Sequence, residues 1–533
     1  GILIFLNENG EFTQADNNYG LVSPADTASF SLTDVNGDGW PDIFYGHMLL
    51  KDATLWLNNG RGQFLVVSDF GFSSIRKTHN AAFADLDGDG DLDMFTANWD
   101  AGQSLVEPHL WYNDGRGYYS ARYGTGIEGS FNERDFTLSP NFADMNGDGH
   151  QDLLVASDFL TSHIFTGNGD GTFNDVTDIS VITDENAMGA GIGDIDNDGD
   201  LDWFVTNIYD AEIMSGEETR AEGNWGATGN RLYRNNSIDG SDILLEDITD
   251  AAGVRDGGWG WGVCMKDFNN DGWLDIFHVN GFGYEDSSFN SPLFNALQAI
   301  GFTSVMELAI AEYNSASSLL TDLYGYFVNF EGVNFILGGI YESESALIAD
   351  LKVLLEGAEI LARTSQAHTE FFGTPARLFM NNKDGSFTEQ AFLRGIADTG
   401  EGRGIACNDF DRDGDIDIVI LNHSGAPSYY ENHFRRTLDF SDNFLNIRLR
   451  GTGGNQYAYG AKVYVTAGSL SQYREMRFEN NYISNNAPEL HFGLAAHSNI
   501  DEVRIEWPDG QTTTLNDVDP NQFLVVRHPS LAD

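Results

Sequence analysis

Six nine-residue stretches of this chain carry Asp at positions 1, 5 and 9, Asp or Asn at position 3, and Gly at position 6. Their odd positions read Asp34, Asn36, Asp38, Trp40, Asp42 in the first, Asp85, Asp87, Asp89, Asp91, Asp93 in the second, and Asp144, Asn146, Asp148, His150, Asp152 in the third. The others read Asp194, Asp196, Asp198, Asp200, Asp202, then Asp267, Asn269, Asp271, Trp273, Asp275, then Asp409, Asp411, Asp413, Asp415, Asp417. A tight turn on the Gly, which reaches positive φ without strain, converges alternate side chains on one point. Uncompensated, those carboxylates repel one another. A hard divalent cation with oxygen ligands relieves the repulsion, and Ca²⁺ tolerates irregular geometry better than Mg²⁺. The expected ligands are side-chain oxygens at positions 1, 3, 5 and 9 and the backbone carbonyl of position 7. Asn36, Asn146 and Asn269 each remove one charge, so their loops are expected to bind more weakly. The spacing is not that of the twelve-residue EF-hand loop. About six structural Ca²⁺ are expected. A filled oxygen cage leaves little room for substrate or an activated water, so no catalytic residue is assigned.

The first residues of the loops lie 51, 59, 50, 73 and 142 apart. Each loop precedes a short apolar run, such as Ile43-Phe44-Tyr45 or Trp203-Phe204-Val205. Between loops runs a second motif, seen at Leu55-Trp56-Leu57-Asn58 and Leu110-Trp111-Tyr112-Asn113, with an Asn/Asp/Gly turn and an aromatic residue behind it. That pattern reads as a β-hairpin. One repeat is therefore strand, loop, strand, hairpin: a four-stranded sheet. Radial repetition of such sheets makes an all-β propeller. Seven blades are preferred over six, because the hairpin at residues 4–12 has no loop before it. The propeller is expected over residues 1–436. An insertion at 285–372, with Leu347, Leu351, Leu354, Ala358 and Leu361 at helical spacing, is expected to be mainly helical. Residues 437–533 hold alternating segments such as Phe444–Arg450 and Val503–Trp507, which predict a β-sandwich.

The chain has 533 residues, 82 acidic against 28 basic, and a formal charge of −54. No basic face can dominate, which excludes a general nucleic-acid binder. Six divalent ions would still leave about −42. No apolar stretch is long enough to span a membrane as a helix. The start at Gly1 and the low affinity expected of such loops favour a mature protein outside the cell or at its surface, with the periplasm as alternative. Cys264 and Cys407 lie three and two residues before their loops. That one-residue offset turns side chains to opposite faces, so buried free thiols are expected and a disulfide is the alternative.

The loops and hairpins resemble the FG-GAP/VCBS repeats of integrin-like propellers. The tail carries Gly451-Thr452-Gly453-Gly454-Asn455, Gly460-Ala461-Lys462-Val463, His491-Phe492-Gly493-Leu494 and Trp507-Pro508-Asp509-Gly510, and it resembles the ASPIC/UnbV domain. The combination is similar to the family of cartilage acidic protein and its bacterial homologues. The resemblance covers about residues 1–284 and 373–533 and implies a Ca²⁺-binding, secreted or surface protein with no established catalysis. The expected role is adhesion, matrix or surface assembly through protein or glycan contacts. The alternatives are a polysaccharide lyase or hydrolase using the propeller face, and a structural subunit docking or oligomerising through 285–372. His47, Asn98, Ser157, Asn207, Asn280 and Asn422, five residues past each loop, are expected to bond local backbone, with a polar ligand face as the alternative. Trp259 and Trp261 are expected to pack between blades rather than form a sugar platform.

Overall fold

The computed structural model describes residues 2–22, 27–47, 53–71, 78–100, 108–131, 135–210, 227–237, 240–282, 371, 373–423, 425–437 and 442–531. The predicted helical insertion at 285–372 lies, apart from Phe371, outside the described residues. The chain opens with a two-stranded hairpin, β1 (Phe5–Glu8) and β2 (Glu11–Gln14). The first blade is β3 (Thr27–Thr33), β4 (Asp42–His47), β5 (Thr54–Asn58) and β6 (Phe64–Val67), paired antiparallel in that order. The second is β7 (Thr78–Ala84), β8 (Asp93–Asp100), β9 (Leu110–Asn113) and β10 (Tyr119–Ala121). The third is β11 (Asp135–Ala143), β12 (Asp152–Ser157), β13 (His163–Gly167) and β14 (Phe173–Asp175), and it joins the second through β8 and β11. The fourth is β15 (Ala190–Gly193), β16 (Asp202–Val205), β17 (Arg231–Asn235) and β18 (Leu245–Asp247). The fifth is β19 (Gly260–Lys266), β20 (Asp275–Asn280), β21 (Arg377–Asn381) and β22 (Phe387–Glu389). The sixth has, among the described residues, three strands: β23 (Gly402–Asn408), β24 (Asp417–Asn422) and β25 (Ser428–Tyr430).

Sequence explains the layering within a blade. The second strand is the middle of its sheet and is covered on both faces by neighbouring blades. Its residues are therefore apolar in an unbroken run rather than alternating. Phe44, Phe95, Leu154, Trp203, Phe204 and Phe277 are all essentially fully buried there. The fourth strands are only three or four residues long, and Leu65 and Val66 on β6 face solvent. Short outer strands blunt the open edge of each sheet. The first strands converge on the axis and use small residues. A Cβ on Gly262 would lie 2.6 Å from the Arg403 carbonyl oxygen and 2.8 Å from that of Asn481.

The inner strands β3, β7, β11, β15, β19 and β23 lie side by side in that order. The seventh position falls between β23 and β3. The hairpin β1–β2 stands there as an outer pair: Asn7 Nδ2 donates to the Phe410 carbonyl of the sixth blade (2.9 Å), and Phe12 meets Phe410 and Tyr429 edge-on. On its other side Ile2 and Ile4 pack on Leu21, Ile43, Tyr45 and Trp56 of the first blade. Among the described residues the ring thus has seven positions, six filled by sheets and one by a hairpin.

The tail forms two sheets. One is β29 (Leu490–Ala495), β26 (Asn443–Arg450) and β32 (Gln522–Arg527), with β26 and β32 parallel. The other is β28 (Leu470–Met476), β27 (Ala461–Ala467), β30 (Ile500–Glu506) and β31 (Thr512–Val518). Their buried residues Leu445, Val463, Phe492 and Ile505 share one core with Phe83, Leu86 and Leu92 of the second blade. Between β28 and β29 a turn carrying Arg477 to Asn486 enters the axis of the propeller, and Asn480 pairs across it with Asn485. Asn480 Nδ2 donates to the Pro140 carbonyl (3.0 Å) and its Oδ1 accepts from Asn80 Nδ2 (2.8 Å). The tail therefore fills the channel. Among the described residues no helix is long and apolar enough to cross a membrane.

The structure overturns the expectation of free thiols: Cys264 on β19 and Cys407 on β23 are bonded, 143 residues apart in sequence. The offset argument holds within one sheet. Adjacent blades, however, meet through opposite faces of the repeat, so an odd offset is what makes two side chains face each other. Asn481 Nδ2 lies 3.8 Å from Cys264 Sγ, so the bond sits beside the axial turn. Reducing this bond, or the change Cys407→Ser, is expected to lower stability by about 2–4 kcal/mol, because it releases a long loop in the unfolded chain. The urea midpoint with and without reductant measures this, and an unchanged midpoint refutes it.

Candidate metal centres

Each of the six loops is built by the same hydrogen bonds. The position-1 carboxylate, Asp34, Asp85, Asp144, Asp194, Asp267 or Asp409, accepts from the N–H of the position-6 Gly at 2.6–3.2 Å. The position-5 carboxylate, Asp38, Asp89, Asp148, Asp198, Asp271 or Asp413, accepts from the N–H of position 7 at 2.8–3.0 Å. The Gly has φ between 86° and 100° in every loop. Position 4 is also left-handed, filled by Gly37, Gly88, Gly147, Asn197, Asn270 and Arg412. That second turn shows in the sequence as a Gly/Asn preference, which an argument from ligand spacing does not use.

Position 9 does most to hold the blade together. Asp42, Asp93, Asp152, Asp202, Asp275 and Asp417 are buried to 1 % exposure or less. One oxygen accepts from the N–H of position 2 at 2.8–3.1 Å. The other accepts, at 2.7–3.0 Å, from an N–H at the end of the third strand or just beyond it. That donor is Asn58, Asn113, Gly167, Asn235, Asn381 or Asn432 in the respective blades. The Asn side chain then reaches the preceding blade. Asn113 Nδ2 donates to the Val35 carbonyl (2.7 Å), Asn235 to Met145 (2.7 Å), Asn381 to Ile195 (2.8 Å) and Asn432 to Phe268 (2.8 Å). Asn7 follows the same rule onto Phe410, which is why its hairpin counts as a seventh position.

The carboxylates at positions 1, 3 and 9 come together. In the second, fourth and sixth loops, one oxygen from each of Asp85, Asp87 and Asp93, of Asp194, Asp196 and Asp202, and of Asp409, Asp411 and Asp417 lies within 4.8 Å of the others. At such separations two like charges cost about 4 kcal/mol at an effective dielectric of 20. In the first, third and fifth loops position 3 is Asn, and Asn36, Asn146 and Asn269 donate to the position-5 carboxylates of Asp38, Asp148 and Asp271. Asp87 Oδ1, Asp196 Oδ1 and Asn269 Oδ1 are buried acceptors without a hydrogen-bond partner. A buried oxygen without a donor is costly, and an all-oxygen donor set of this kind fits a hard cation. Several of the loops, the second, fourth and sixth above all, could therefore hold metal ions. Trp40, Asp91 and His150 at position 7 lie against Gly60, Gly115 and Gly169 in the turn after the third strand. Asp200 and Trp273 donate their N–H groups to position 5 as the others do, and the Asp415 side chain also accepts from the Arg435 N–H (2.9 Å).

Burial, reinforced by neighbouring carboxylates, pushes these acids upward. Asp93 and Asp152 rise to about 8, and Asp42 and Asp417 to about 7. Burial also raises Asp202 and Asp275 well above the usual range.

The other singled-out residues are spent on structure. His47, Asn98, Ser157, Asn207 and Asn280 are buried. Asn280 donates to the Gly257 carbonyl (2.6 Å), Asn207 accepts from the Asn186 N–H (2.8 Å), and Asn422 donates to the Ala426 carbonyl (3.2 Å). Of these three, the Asn422 bond, four residues away, is the local backbone bond that the sequence leads one to expect, whereas those of Asn280 and Asn207 span 23 and 21 residues. Trp259 is buried and stacks on Trp261 at 6.3 Å, while Arg403 lies 4.1 Å over the Trp261 ring. The pair packs between blades, with Trp261 against Tyr482 of the axial turn.

The loop geometry makes two outcomes measurable. Asn113→Ala strands the Val35 and Leu92 carbonyls and is expected to cost about 1–3 kcal/mol, read as a lower Tm with the second blade affected first. In chelated protein, a carboxyl raised in the fold binds more protons there than in the unfolded chain. That stability is fully present below the unfolded value and is lost as pH rises through the folded value. Tm of the chelated protein should therefore still be falling between about pH 7 and 8, the upper part of a decline that begins above the unfolded carboxylate value. This window lies above the range in which the imidazoles of His79, His278 and His491, held down by burial, take up protons. A rise in Tm across the window refutes the sign.

Parts of this chain are similar to known proteins. Residues 34–96 and 144–205 match the FG-GAP-like repeat, and residues 451–532 match the family described as ASPIC and UnbV. Cartilage acidic protein 1 of Mus musculus is 27 % identical over 294 residues, covering 54 % of this chain and 40 % of that protein. The Homo sapiens protein of that name is 27 % identical over 295 residues, covering 54 % and 39 %. The chain thus spans about two fifths of the length of these relatives. A T-cell immunomodulatory protein homolog of Plasmodium falciparum is 29 % identical over 142 residues, covering 23 % of this chain and 18 % of that protein. Among solved structures, Bacillus licheniformis rhamnogalacturonan lyase PL11 aligns with a TM-score of 0.32 at 11 % identity over 98 % of this chain and 80 % of its own, too low to bear on activity. Parts of the chain thus match the FG-GAP-like repeat and the ASPIC and UnbV family, and the chain is similar to cartilage acidic protein 1.

Proposed function

We propose that this chain is a calcium-stabilised, non-enzymatic binding scaffold that works outside the cell or at its surface. The observation that carries the reading is the set of converging oxygens in the loops, with buried acceptors at Asp87, Asp196 and Asn269 that lack a hydrogen-bond donor. The ligands would be the side chains at positions 1, 3, 5 and 9 of each loop and the carbonyl of position 7. Bound Ca²⁺ supplies charge compensation and fixes the loop shape; the residues themselves join strands one and two of each blade. The disulfide supports an oxidising compartment. The tail fills the axis of the ring, which leaves the axial channel no room for a substrate. Adhesion, matrix or surface assembly through a protein or glycan partner is the role that such a scaffold fits.

The loops fall into two classes that alternate around the ring. The second, fourth and sixth carry Asp at position 3, and the first, third and fifth carry Asn. Affinity for Ca²⁺ rises with ligand charge. Equilibrium dialysis of EDTA-stripped protein should therefore show biphasic filling, about half of the sites first, with Tm rising in parallel because the ion binds only the fold. Asp87→Asn should move one site from the tight phase to the weak one. A Tm indifferent to both EDTA and Ca²⁺ overturns the reading. The partner role is tested by surface binding of the Ca²⁺-loaded protein to neutral polysaccharides and to basic matrix-type proteins, and failure on every such surface argues against it.

A further inference from the structure

Among the described residues, the repeats leave one place in the ring without an inner strand. Between β23 and β3 the hairpin β1–β2 brings only the outer pair. The tail takes the inner place with residues 484–486, and its side chains alternate as a strand's would. Ser484 Oγ accepts from the Ile405 N–H (2.9 Å) and Asn486 Oδ1 from the Cys407 N–H (2.9 Å), both on β23. Asn485 turns to β3, where its Oδ1 accepts from the Leu32 N–H (3.1 Å) and its Nδ2 donates to the Leu32 carbonyl (3.3 Å). A side-chain amide here imitates the peptide of a neighbouring strand.

The tail is seated on the candidate metal loops themselves. Ala495 N–H donates to the Asn270 carbonyl (2.8 Å), and His491 Nε2 lies 2.7 Å from Asn270 Oδ1. Lys462 Nζ lies 2.6 Å from Asp144 Oδ2, and the Asp144 N–H donates to Glu475 (3.1 Å). The approach is close enough to demand glycine. A Cβ on Gly493 would collide with Asp267 Oδ2, and one on Gly454 would collide with Asp91 Oδ1. Loops two, three and five therefore form part of the surface on which the tail rests.

We propose that the tail is a calcium-dependent clasp: filled loops keep the seat on which it rests, and the seated tail closes the ring and fills its axis. Without the ion the carboxylates of each loop spread, the seat deforms, and the turn 477–486 withdraws while the blades stay folded. This rests on the calcium reading above.

Hydrogen exchange on the full chain, with Ca²⁺ and with EDTA, tests it. Peptides covering Leu32, Ile405 to Cys407 and the turn 477–486 should exchange faster together in EDTA, on the order of tenfold, while those covering the second strands β8, β12 and β16 stay protected. Gly493→Ala should produce the same pattern in the presence of Ca²⁺, because the added methyl meets Asp267. If that variant does not fold, the two arms on the unaltered protein still decide. Loop peptides that respond to EDTA beneath an unmoved turn overturn the clasp alone. A uniform loss of protection through all blades also overturns it. Loop peptides that do not respond overturn both the clasp and the calcium reading.

Discussion

The carboxylate at the ninth position of each loop is the joint on which the propeller depends. It is buried, and each of its oxygens takes a backbone N–H, one from the loop and one from the end of the hairpin. A single side chain thereby fixes the loop to the third strand. The Asn at that strand's end carries the link to the previous blade. Loop shape, blade register and blade-to-blade spacing are thus one mechanical system rather than three. The energetic tension in it is plain. The same burial that makes these hydrogen bonds strong raises the cost of the charge. A cation among the loop oxygens would offset that cost, and the closing blade geometry in turn holds the oxygens in place.

Closure of the ring depends on parts that are far apart in sequence. Among the described residues, the sixth blade lacks a fourth strand, and the seventh position has an outer pair but no inner strand of its own. The opening hairpin and a turn of the tail meet there from opposite sides of the repeats. The disulfide ties the fifth blade to the sixth beside the same turn. Polar side chains serve as the cement along the axis, because the inner strands carry peptide edges that no neighbouring strand pairs. Asn480, Asn481, Asn485 and Asn486 satisfy those edges without adding bulk.

What can be read from the sequence is local and periodic. Asp85 to Asp93 and its relatives, the apolar runs after them and the Leu-aromatic-x-Asn hairpins are each short, so their geometry is written in spacing. The Asn of the hairpin is legible as a turn residue, but its bond to the neighbouring blade is not, since the partner lies 78 residues away for Asn113. The pairing of Cys264 with Cys407 escapes an offset argument that is valid only within one sheet. The doublets Asn480-Asn481 and Asn485-Asn486 are visible in the sequence, yet Asn480 meets Asn80 across 400 residues. Contacts of that range follow from how blades and tail are stacked, which no local pattern encodes.

The meeting at the seventh position has a consequence for how the chain is made. A ribosome releases the opening hairpin before any blade, and the Asn485 turn after all of them. Every blade can form as it emerges, but the circle stays open until the tail has followed. A chain broken off just before the tail would carry six sound blades around an unsealed seam, with the peptide edges of Leu32 and Ile405 bare. Exposed edges of that kind are what cellular surveillance and aggregation both recognise. Arrival of the tail is in this sense marked by a physical event, the sealing of the circle.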